Sequence, residues 1–373
     1  MKLLTKASLI ALATLFTLNA DAVQVKNIAT LSGHTSCVCT VSWSSDSNYA
    51  LSGSWDGSIK LWDLSNKDNP NSTALVTGHQ YFVTAAALSP DGNYALSASL
   101  NGTTYLWDLS DKHNSDLKPT AILTDPYGPE SFAWSPDGNY ALSGSSAGTI
   151  NLWDLRNKQN PATEPVVMLT EHALRNMRTD PILWAHAFYW MPGGRTFHPH
   201  GLGVNSVSWS SDGNYAVSGC SDGSIKLWDL SNKDNPNTTA LATLPDHSDV
   251  VHAVSFSPDD NYIISGSGDT TLKLWDAHEK NKPTLLATLN GDCDIFSCVS
   301  WSPDGNYVVS GSKGGLVNNV KLWDLHNKQQ PNAQPLIVGQ HDTDINSVSW
   351  SPDGNYVLSG SDDHTIKLWE ILT

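Results

Sequence analysis

Hydrophobic and polar residues alternate along most of the chain in short runs separated by turn-forming residues. The segment SVSW at residues 347–350 shows the two-residue period of a half-buried β-strand. The segment SPDGNY follows it, and its Asp-Gly pair favours the positive φ angles of a tight hairpin turn. The pattern therefore predicts short antiparallel strands joined by tight turns.

The alternating pattern repeats along the chain. The string LWD, or LWE once, recurs about every 46 residues, except for a longer interval between the third and fourth copies. Its tryptophans are Trp62, Trp107, Trp153, Trp228, Trp275, Trp323 and Trp369. Each copy predicts four strands, with sequences such as SVSW, YALSGS, KLWD and TALVTG. A single unit of this size has two faces to bury, so such units stabilise one another by stacking around an axis.

Each copy also has a histidine or aspartate before its first strand, as in Gly33-His34 and Gly78-His79. Together with the LWD strings, these motifs resemble the WD-repeat family of β-propellers over about residues 24–373. The resemblance implies an all-β, seven-bladed propeller of four-stranded antiparallel blades. The last copy has no fourth strand after Trp369, whereas Ile28–Leu31 has no copy of its own. The resemblance implies that this N-terminal strand completes the last blade.

In that family the histidine, a serine of the second strand, an aspartate of the second turn and the tryptophan form a hydrogen-bonded set. By motif, the sets here are His34, Ser52, Asp56 and Trp62; His200, Ser218, Asp222 and Trp228; His247, Ser265, Asp269 and Trp275; and His341, Ser359, Asp363 and Trp369. Asn101 and Ala147 replace the aspartate in the second and third copies, and Asp125 and Asp292 replace the histidine in the third and sixth. We expect this hydrogen-bonded set to hold those blades less tightly. We interpret the repeated His and Asp residues as structural supports.

Residues 1–22 have the features of a secretory signal peptide. Lys2 and Lys6 form a basic start, an apolar stretch of about a dozen residues follows, and Ala20-Asp21-Ala22 has the small-x-small pattern of a cleavage site. The alternative is a buried N-terminal strand or helix. We predict export to a periplasm or the extracellular space, leaving one propeller domain over residues 23–373.

Composition narrows the classes of function. The formal net charge of -16 disfavours nucleic acid as a partner, because phosphate binding needs a basic surface. The Asp-Gly pairs lack the spacing of calcium loops and are interpreted as hairpin turns. No catalytic motif is present in the sequence, so we expect neither enzymatic activity nor a cofactor.

The five cysteines are an odd number, and we expect free thiols rather than a disulfide framework.

The repeat pattern is interrupted at about residues 171–199, between the third and fourth copies. This insert carries an unusual set of basic and aromatic residues: Arg175, Arg178, Trp184, Phe188, Tyr189, Trp190 and Arg195. It also carries His172, His186 and His198, close to His200. We consider three interpretations: a contact for a partner, a self-packed lid with a helix at 182–189, or a metal site from His198, His200 and one further histidine.

The register of the repeats places other residues on the same face as the insert. The residue before each second-turn aspartate, such as Trp55 or Leu100, should point to the rim of that face. Tyr81, Phe82 and Tyr127 lie in the loops above the second and third blades. These aromatic residues and the insert would form a recognition surface.

The sequence therefore predicts a non-enzymatic, secreted scaffold that binds a protein or peptide on one face of a monomeric propeller. The partner-binding residues of this hypothesis are Trp55, Tyr81, Phe82, Tyr127, Arg175, Arg178, Trp184, Tyr189, Trp190 and Arg195. A carbohydrate or cell-envelope binder is the alternative, because exposed aromatic rings also stack on sugars. A metal-dependent hydrolase using the histidines of the insert is a minor alternative.

Overall fold

The computed structural model describes residues 23–73, 79–112, 114, 117–125, 128–169, 189–191, 195–197, 203–244, 247–291, 295–315, 318–332 and 334–372. These residues form β-strands, turns and irregular segments, with no helix. Accordingly, no helix within this part of the chain is long and apolar enough to cross a bilayer. The all-β prediction is confirmed.

The strands form seven four-stranded antiparallel sheets, which are the blades. Blade 1 contains β2 (Val38–Trp43), β3 (Tyr49–Ser54), β4 (Ile59–Asp63) and β5 (Asn71–Thr73). Blade 2 contains β6 (Val83–Leu88), β7 (Tyr94–Ser99), β8 (Thr103–Asp108) and β9 (Pro119–Thr124). Blade 3 contains β10 (Pro129–Trp134), β11 (Tyr140–Ser145), β12 (Ile150–Asp154) and β13 (Val167–Leu169). A separate two-stranded hairpin follows, made of β14 (Tyr189–Met191) and β15 (Arg195–Phe197).

The second half of the ring repeats the same order of strands. Blade 4 contains β16 (Val204–Trp209), β17 (Tyr215–Cys220), β18 (Ile225–Asp229) and β19 (Ala242–Leu244). Blade 5 contains β20 (Val251–Phe256), β21 (Tyr262–Ser267), β22 (Thr271–Asp276) and β23 (Thr284–Asn290). Blade 6 contains β24 (Ile295–Trp301), β25 (Tyr307–Lys313), β26 (Asn318–Asp324) and β27 (Leu336–His341). Blade 7 contains β28 (Ile345–Trp350), β29 (Tyr356–Ser361), β30 (Thr365–Leu372) and, from the N-terminus, β1 (Gln24–Ser32).

The ring is closed by β1, which pairs antiparallel with β30 from Gln24↔Leu372 to Ser32↔Thr365. This confirms the predicted closure, although β1 extends several residues beyond the expected Ile28–Leu31. Leu31 is buried among residues of blades 7 and 1, including Val38 and Ile366. Closure therefore joins the two ends of the chain through both a strand ladder and a hydrophobic cluster.

The SPDGNY segments form the first turn of each blade through their own side chains. In blade 7, the Tyr356 N–H donates to Ser351 Oγ at 2.9 Å, and Ser351 Oγ donates to Asp353 at 2.6 Å. Asp353 also accepts from the Asn355 N–H at 3.0 Å. Each turn aspartate is thus a local turn-stabilising acceptor, which supports the hairpin interpretation over a calcium loop.

The blades pack through apolar residues of their inner and middle strands. The third-strand tryptophans, from Trp62 to Trp369, are all nearly inaccessible to solvent. A glycine in the second strand allows the next blade to approach closely: a Cβ on Gly53 would lie 2.7 Å from Val83 Cγ1. This packing of each blade on the next explains the small residues of the recurring SGS segment.

Candidate functional site

Two kinds of loop meet at one end of the propeller, which we call the upper face. The second turn of each blade lies against the loop that enters the next blade. A Cβ on Gly57 would be 3.1 Å from the His79 carbonyl oxygen, and one on Gly223 would be 2.6 Å from that of His247. Both glycines also have positive φ angles, so a side chain is disfavoured at these positions. The first turns and the connections after each third strand form the opposite, lower face.

Hydrogen-bonded sets of the expected composition connect these loops in blades 7, 1 and 5. For the first set, His34 Nε2 lies 2.7 Å from Ser52 Oγ, and His34 Nδ1 lies 3.0 Å from Asp56 Oδ2. Trp62 Nε1 donates to the same Ser52 hydroxyl at 2.8 Å. The equivalent contacts are His247–Ser265, His247–Asp269 and Trp275–Ser265, and His341–Ser359, His341–Asp363 and Trp369–Ser359.

The other copies keep part of this set. In the fourth copy Trp228 Nε1 donates to Ser218 Oγ at 2.9 Å and Asp222 accepts from Ser224, while His200 lies outside the described residues. In the third copy Asp125 replaces the histidine and accepts from Ser143 and Asn151. The hydrogen bond from the tryptophan to the second-strand serine is therefore retained in copies that differ in the other members of the set.

The second copy differs most in chemistry. His79 Nε2 lies 2.7 Å from Ser97 Oγ, but Asn101 replaces the aspartate and accepts instead from the Thr103 N–H. His79 Nδ1 is buried and has no hydrogen-bond partner within the part of the chain that the structure describes. Burial lowers the pKa of His79 to about 4, so this ring is neutral at pH 7.

The His–Asp pairs are arranged for support rather than for proton transfer. Burial alone would raise the pKa of Asp56, but hydrogen bonds from Ser58, the Thr35 backbone and His34 lower it to about 2. Burial in turn lowers the pKa of His34, against the opposing effect of Asp56. The pKa of Asp56 thus lies far below 7 and that of His34 is shifted downward, whereas a general acid or base acts best with a pKa near the operating pH. This geometry supports the structural interpretation of the repeated motif.

An exposed aromatic patch covers the upper face of blades 1 and 2. Its members are Trp55, Tyr81, Phe82 and Leu100, which are 46%, 41%, 43% and 49% exposed. The rings of Trp55 and Phe82 stack with centroids 5.4 Å apart, and the Leu100 N–H donates to the Phe82 carbonyl. The patch therefore continues across the boundary between two blades and is held by backbone bonds.

A carboxylate of blade 7, that of Asp362, lies near the loop that holds the aromatic patch. The Trp55 N–H donates to the Cys37 carbonyl, which fixes the patch to the loop that enters blade 1. Burial raises the pKa of the Cys37 thiol, and so do the hydrogen bond and charge of Asp362 from blade 7. The Asp362 N–H is held by the carbonyl of Asp344. An apolar surface is thus flanked by negative charge on its blade 7 side.

Side chains at the top of the first strands tie neighbouring blades around the central channel. Each first strand has a β-bulge. In blades 1, 2, 4, 6 and 7 the bulged residue donates to a carbonyl of the next blade. The bonds are Cys39 to Val83, Thr84 to Pro129, Asn205 to Val251, Ser297 to Ile345 and Asn346 to Val38. The sequence analysis missed these residues, because a bulge shifts the two-residue period on which it relied. The recurrence of polar residues at this position was the available signal.

Much of the insert lies outside the described residues, including Arg175, Arg178 and Trp184; Tyr127 and His200 lie outside them as well. Tyr189, Trp190 and Arg195 belong to the hairpin, in which Tyr189 pairs with Phe197 and Met191 with Arg195. Tyr189 is therefore in a strand rather than at the end of the helix considered above. The structure brings Trp55, Tyr81 and Phe82 together on the upper face of blades 1 and 2.

The described residues contain no group of three potential metal ligands. The histidines of the proposed metal site lie in the undescribed insert, so this observation does not bear on that alternative. Four cysteines, Cys37, Cys39, Cys220 and Cys298, are free thiols. Burial raises the pKa of the Cys298 thiol to about 11 and that of Cys220 to about 12, which makes these two thiols unreactive at neutral pH.

A model of the family "WD domain, G-beta repeat" matches the sequence seven times. The matched residues are 25–63, 70–108, 118–154, 194–229, 238–276, 283–324 and 334–370. The chain belongs to the WD-repeat family. Each match ends within the third strand of a blade or just after it, and the widest gap between matches contains most of the insert. WD-repeat propellers are typical protein-interaction scaffolds and are generally not catalytic.

Short segments are similar to curated WD-repeat relatives. The small ribosomal subunit protein RACK1z of Oryza sativa subsp. japonica is 60% identical over 35 residues, which are 9% of this chain and 10% of that protein. The small ribosomal subunit protein RACK1 of Drosophila melanogaster is 57% identical over 35 residues, which are 9% and 11%. The matches span about a tenth of each relative, which is less than one repeat of this chain.

Proposed function

We propose that this WD-repeat propeller is a non-enzymatic scaffold that binds a protein or peptide on its upper face. The observation that carries the proposal is the aromatic patch, in which the stacked pair of Trp55 and Phe82 crosses from one blade to the next. Exposed apolar patches held by a rigid frame mark recognition surfaces, and tryptophan is enriched among residues that dominate binding.

The surroundings of the patch indicate what the partner carries. An apolar side chain would cover Trp55 and Phe82, and a basic side chain beside it would meet Asp362. The formal net charge of -16 would also steer a basic segment towards the protein. The arginines of the insert have the opposite charge, so the insert would contact a different part of the same partner.

The first experiment finds the partner and then locates its contact. Proteins captured from matched cell extract and envelope fractions are identified, and one purified partner is titrated against variants. Trp55→Ala and Phe82→Ala should each weaken binding at least about tenfold, with little change in melting temperature. Ile122→Ala is the matched control, because Ile122 is 55% exposed on the outer strand β9 of blade 2.

The same experiment separates the alternatives. A variant with residues 173–198 replaced by a Gly/Ser loop tests the insert, including Trp184, Trp190 and Arg195. If Trp55→Ala and Phe82→Ala bind the partner as tightly as the unmodified protein, the aromatic patch is not the contact. Retention of polysaccharide instead of protein would favour the carbohydrate-binding alternative.

We also propose that residues 1–22 direct export. The sequence pattern of that segment supports this proposal, and the N-terminus of the exported protein tests it. Mass spectrometry of the protein recovered outside the cytoplasm should find Val23 as the first residue. Recovery of the full chain inside the cell, starting at Met1, would overturn the proposal.

A further inference from the structure

Lysines on the lower face connect blades 1 to 6 each to the preceding blade of the ring. Six repeats carry a lysine five residues after the LWD tryptophan, in the connection to the fourth strand. Each lysine Nζ lies 5.0–5.9 Å from the centre of the first-turn tyrosine of the preceding blade. The pairs are Lys67–Tyr356, Lys112–Tyr49, Lys158–Tyr94, Lys233–Tyr140, Lys280–Tyr215 and Lys328–Tyr262.

The surroundings of these lysines show how the propeller binds an ammonium group. Lys67 Nζ donates to the carbonyls of Ser47 and Leu64, both at 2.9 Å, and also faces the rings of Tyr356 and Trp43. Two carbonyl acceptors and an aromatic face satisfy a primary ammonium ion. In blade 5 the carbonyls of Asp260 and Ala277 bind Lys280 in the same way.

At the seam between blades 6 and 7 the matching ring is Tyr307 of blade 6. In the described part of the chain no lysine or arginine lies over the Tyr307 ring. Burial raises the pKa of Tyr307, and the charges of Asp324 and Asp304 raise it further. The ring of His326, which is paired with Asp324, packs edge-on against Tyr307 with centroids 5.0 Å apart.

Trp350 occupies the lysine's hydrogen-bonding position at this seam. Its Nε1 donates to the carbonyl of Gly354 at 3.0 Å, and Gly354 is the counterpart of Ser47. By contrast, the corresponding Trp43 and Trp301 donate to carbonyls of the preceding blade. The Trp350 ring also stacks on Tyr307, with centroids 6.4 Å apart and planes 22° apart.

The first turn of blade 7 is also more open than its counterparts. A Cβ on Gly354 would have no heavy atom within 4 Å. On Gly138, Gly213 or Gly305, a Cβ would lie 3.4–3.6 Å from a proline of the preceding blade. The space beside Gly354 is accordingly open.

We propose that the lower-face seam between blades 6 and 7 binds the ammonium group of a lysine from a partner protein. Trp350 would rotate to the orientation of Trp43, which frees the Gly354 carbonyl. The ammonium would then lie between Tyr307 and Trp350 and donate to the carbonyls of Gly354 and Ile371, the counterparts of Ser47 and Leu64. Lys67 and Lys280 of the chain itself are the precedent for this geometry. The site is at the opposite end from the aromatic patch and does not depend on the proposed function.

A peptide with the sequence of residues 229–237, DLSNKDNPN, is the probe, because it contains one of the chain's own lower-face lysines. The control is the same peptide with its lysine acetylated, which removes the charge. By titration calorimetry the lysine peptide should bind about tenfold more tightly than the control. In nitrogen-labelled protein, the indole N–H resonance of Trp350 should move during the titration. Equal binding of both peptides, or no binding at millimolar concentration, would overturn the proposal.

Two variants locate the contact. Tyr307→Leu should abolish the preference for the lysine peptide, whereas Tyr262→Leu should preserve it, because Lys328 of the same chain fills that position. Equal losses in the two variants would contradict the site. Trp350→Phe provides a second test that keeps an aromatic ring but removes the competing N–H. It should tighten binding of the lysine peptide, and unchanged or weaker binding would count against the proposal.

Discussion

At the scale of single residues, His79 shows what the second-turn aspartate contributes. In blades 1, 5 and 7 a carboxylate lies within 3.0 Å of the histidine Nδ1. In blade 2 the side chain of Asn101 binds its own turn, and His79 Nδ1 is a buried polar atom without a partner in the described structure. Such an atom costs the folded state free energy, because water hydrates it in the unfolded chain.

Asn101→Asp should therefore stabilise the propeller by about 1–2 kcal/mol at pH 7. The new carboxylate would accept from His79 Nδ1, as Asp56 does from His34 in blade 1. Urea unfolding gives the change in the free energy of unfolding. Asn101→Ala is the control, since it removes the amide without supplying an acceptor, and it should not stabilise. A stability of Asn101→Asp at or below that of the unmodified protein would contradict the prediction.

The pH dependence of stability follows from the same histidine. Burial lowers the pKa of His79 from 6.5 to about 4, so the unfolded chain takes up a proton at a pH where the folded protein does not. The neutral ring thus contributes stability that is fully present above pH 6.5 and is lost as the pH falls towards 4. The loss is roughly 3 kcal/mol.

A variant without this titrating group isolates the effect. The free energy of unfolding of the unmodified protein, minus that of His79→Gln, should fall by that amount between pH 7 and pH 4. Asn101→Asp should reduce the fall, because a neighbouring carboxylate raises the pKa of the histidine. A difference that stays constant over this pH range would show that His79 titrates normally in the folded protein.

At the scale of strands, the β-bulges and the hydroxyl groups near them determine how neighbouring blades are joined. Thr84 lies at the bulge of β6, and its Oγ1 donates to the Pro129 carbonyl of blade 3 at 2.6 Å. Thr104 of β8 is completely buried, and its hydroxyl has no partner within the described residues. One threonine of blade 2 thus forms a hydrogen bond to the next blade, whereas the hydroxyl of the other is buried without a partner within the described residues.

Replacing threonine with valine, which has nearly the same shape, should lower the stability of the protein at position 84 but not at position 104. Thr84→Val loses the bond between blades and leaves the Pro129 carbonyl without it, so it should cost about 1–2 kcal/mol. Thr104→Val removes a buried hydroxyl that makes no bond, so it should be neutral or stabilise by up to about 1 kcal/mol. Each variant is the control for the other in urea unfolding. A loss of stability in both would contradict the assignment of Thr104.

At the scale of the whole molecule, the sequence predicted the features that lie within one repeat. The structure showed the contacts that two neighbouring repeats make with each other. Strand alternation and the recurring LWD tryptophan predicted four strands in each copy, and the resemblance to the WD-repeat family implied the ring and its closure by β1. The contacts across seams, such as that of Lys67 with Tyr356, join residues far apart in sequence. They depend on how the blades are arranged around the ring, which the alternation within a blade does not specify.

Prediction of the candidate site from the sequence has the same limit, because the site also depends on contacts between blades. Trp55 and Phe82 were each predicted to lie on the upper face, but their stacking across two blades follows only from the arrangement of the ring. The recurrence of a lysine after every complete LWD string was a signal that sequence analysis alone could have used. The different orientation of Trp350 was not predictable, since its own repeat is close to the consensus.

Closure makes the stability of the ring depend on a single strand that is far in sequence from its partner. Leu31 of β1 is buried between blades 7 and 1, so Leu31→Ala should destabilise the propeller by about 2–4 kcal/mol. Ile122→Ala is the matched control on another outer strand, and its exposed side chain should contribute less than about 0.5 kcal/mol. Because loss of β1 would leave the edge of β30 unpaired, Leu31→Ala should also form oligomers during thermal unfolding, as measured by light scattering. A Leu31→Ala variant as stable as Ile122→Ala would mean that blade 7 holds together without its N-terminal strand.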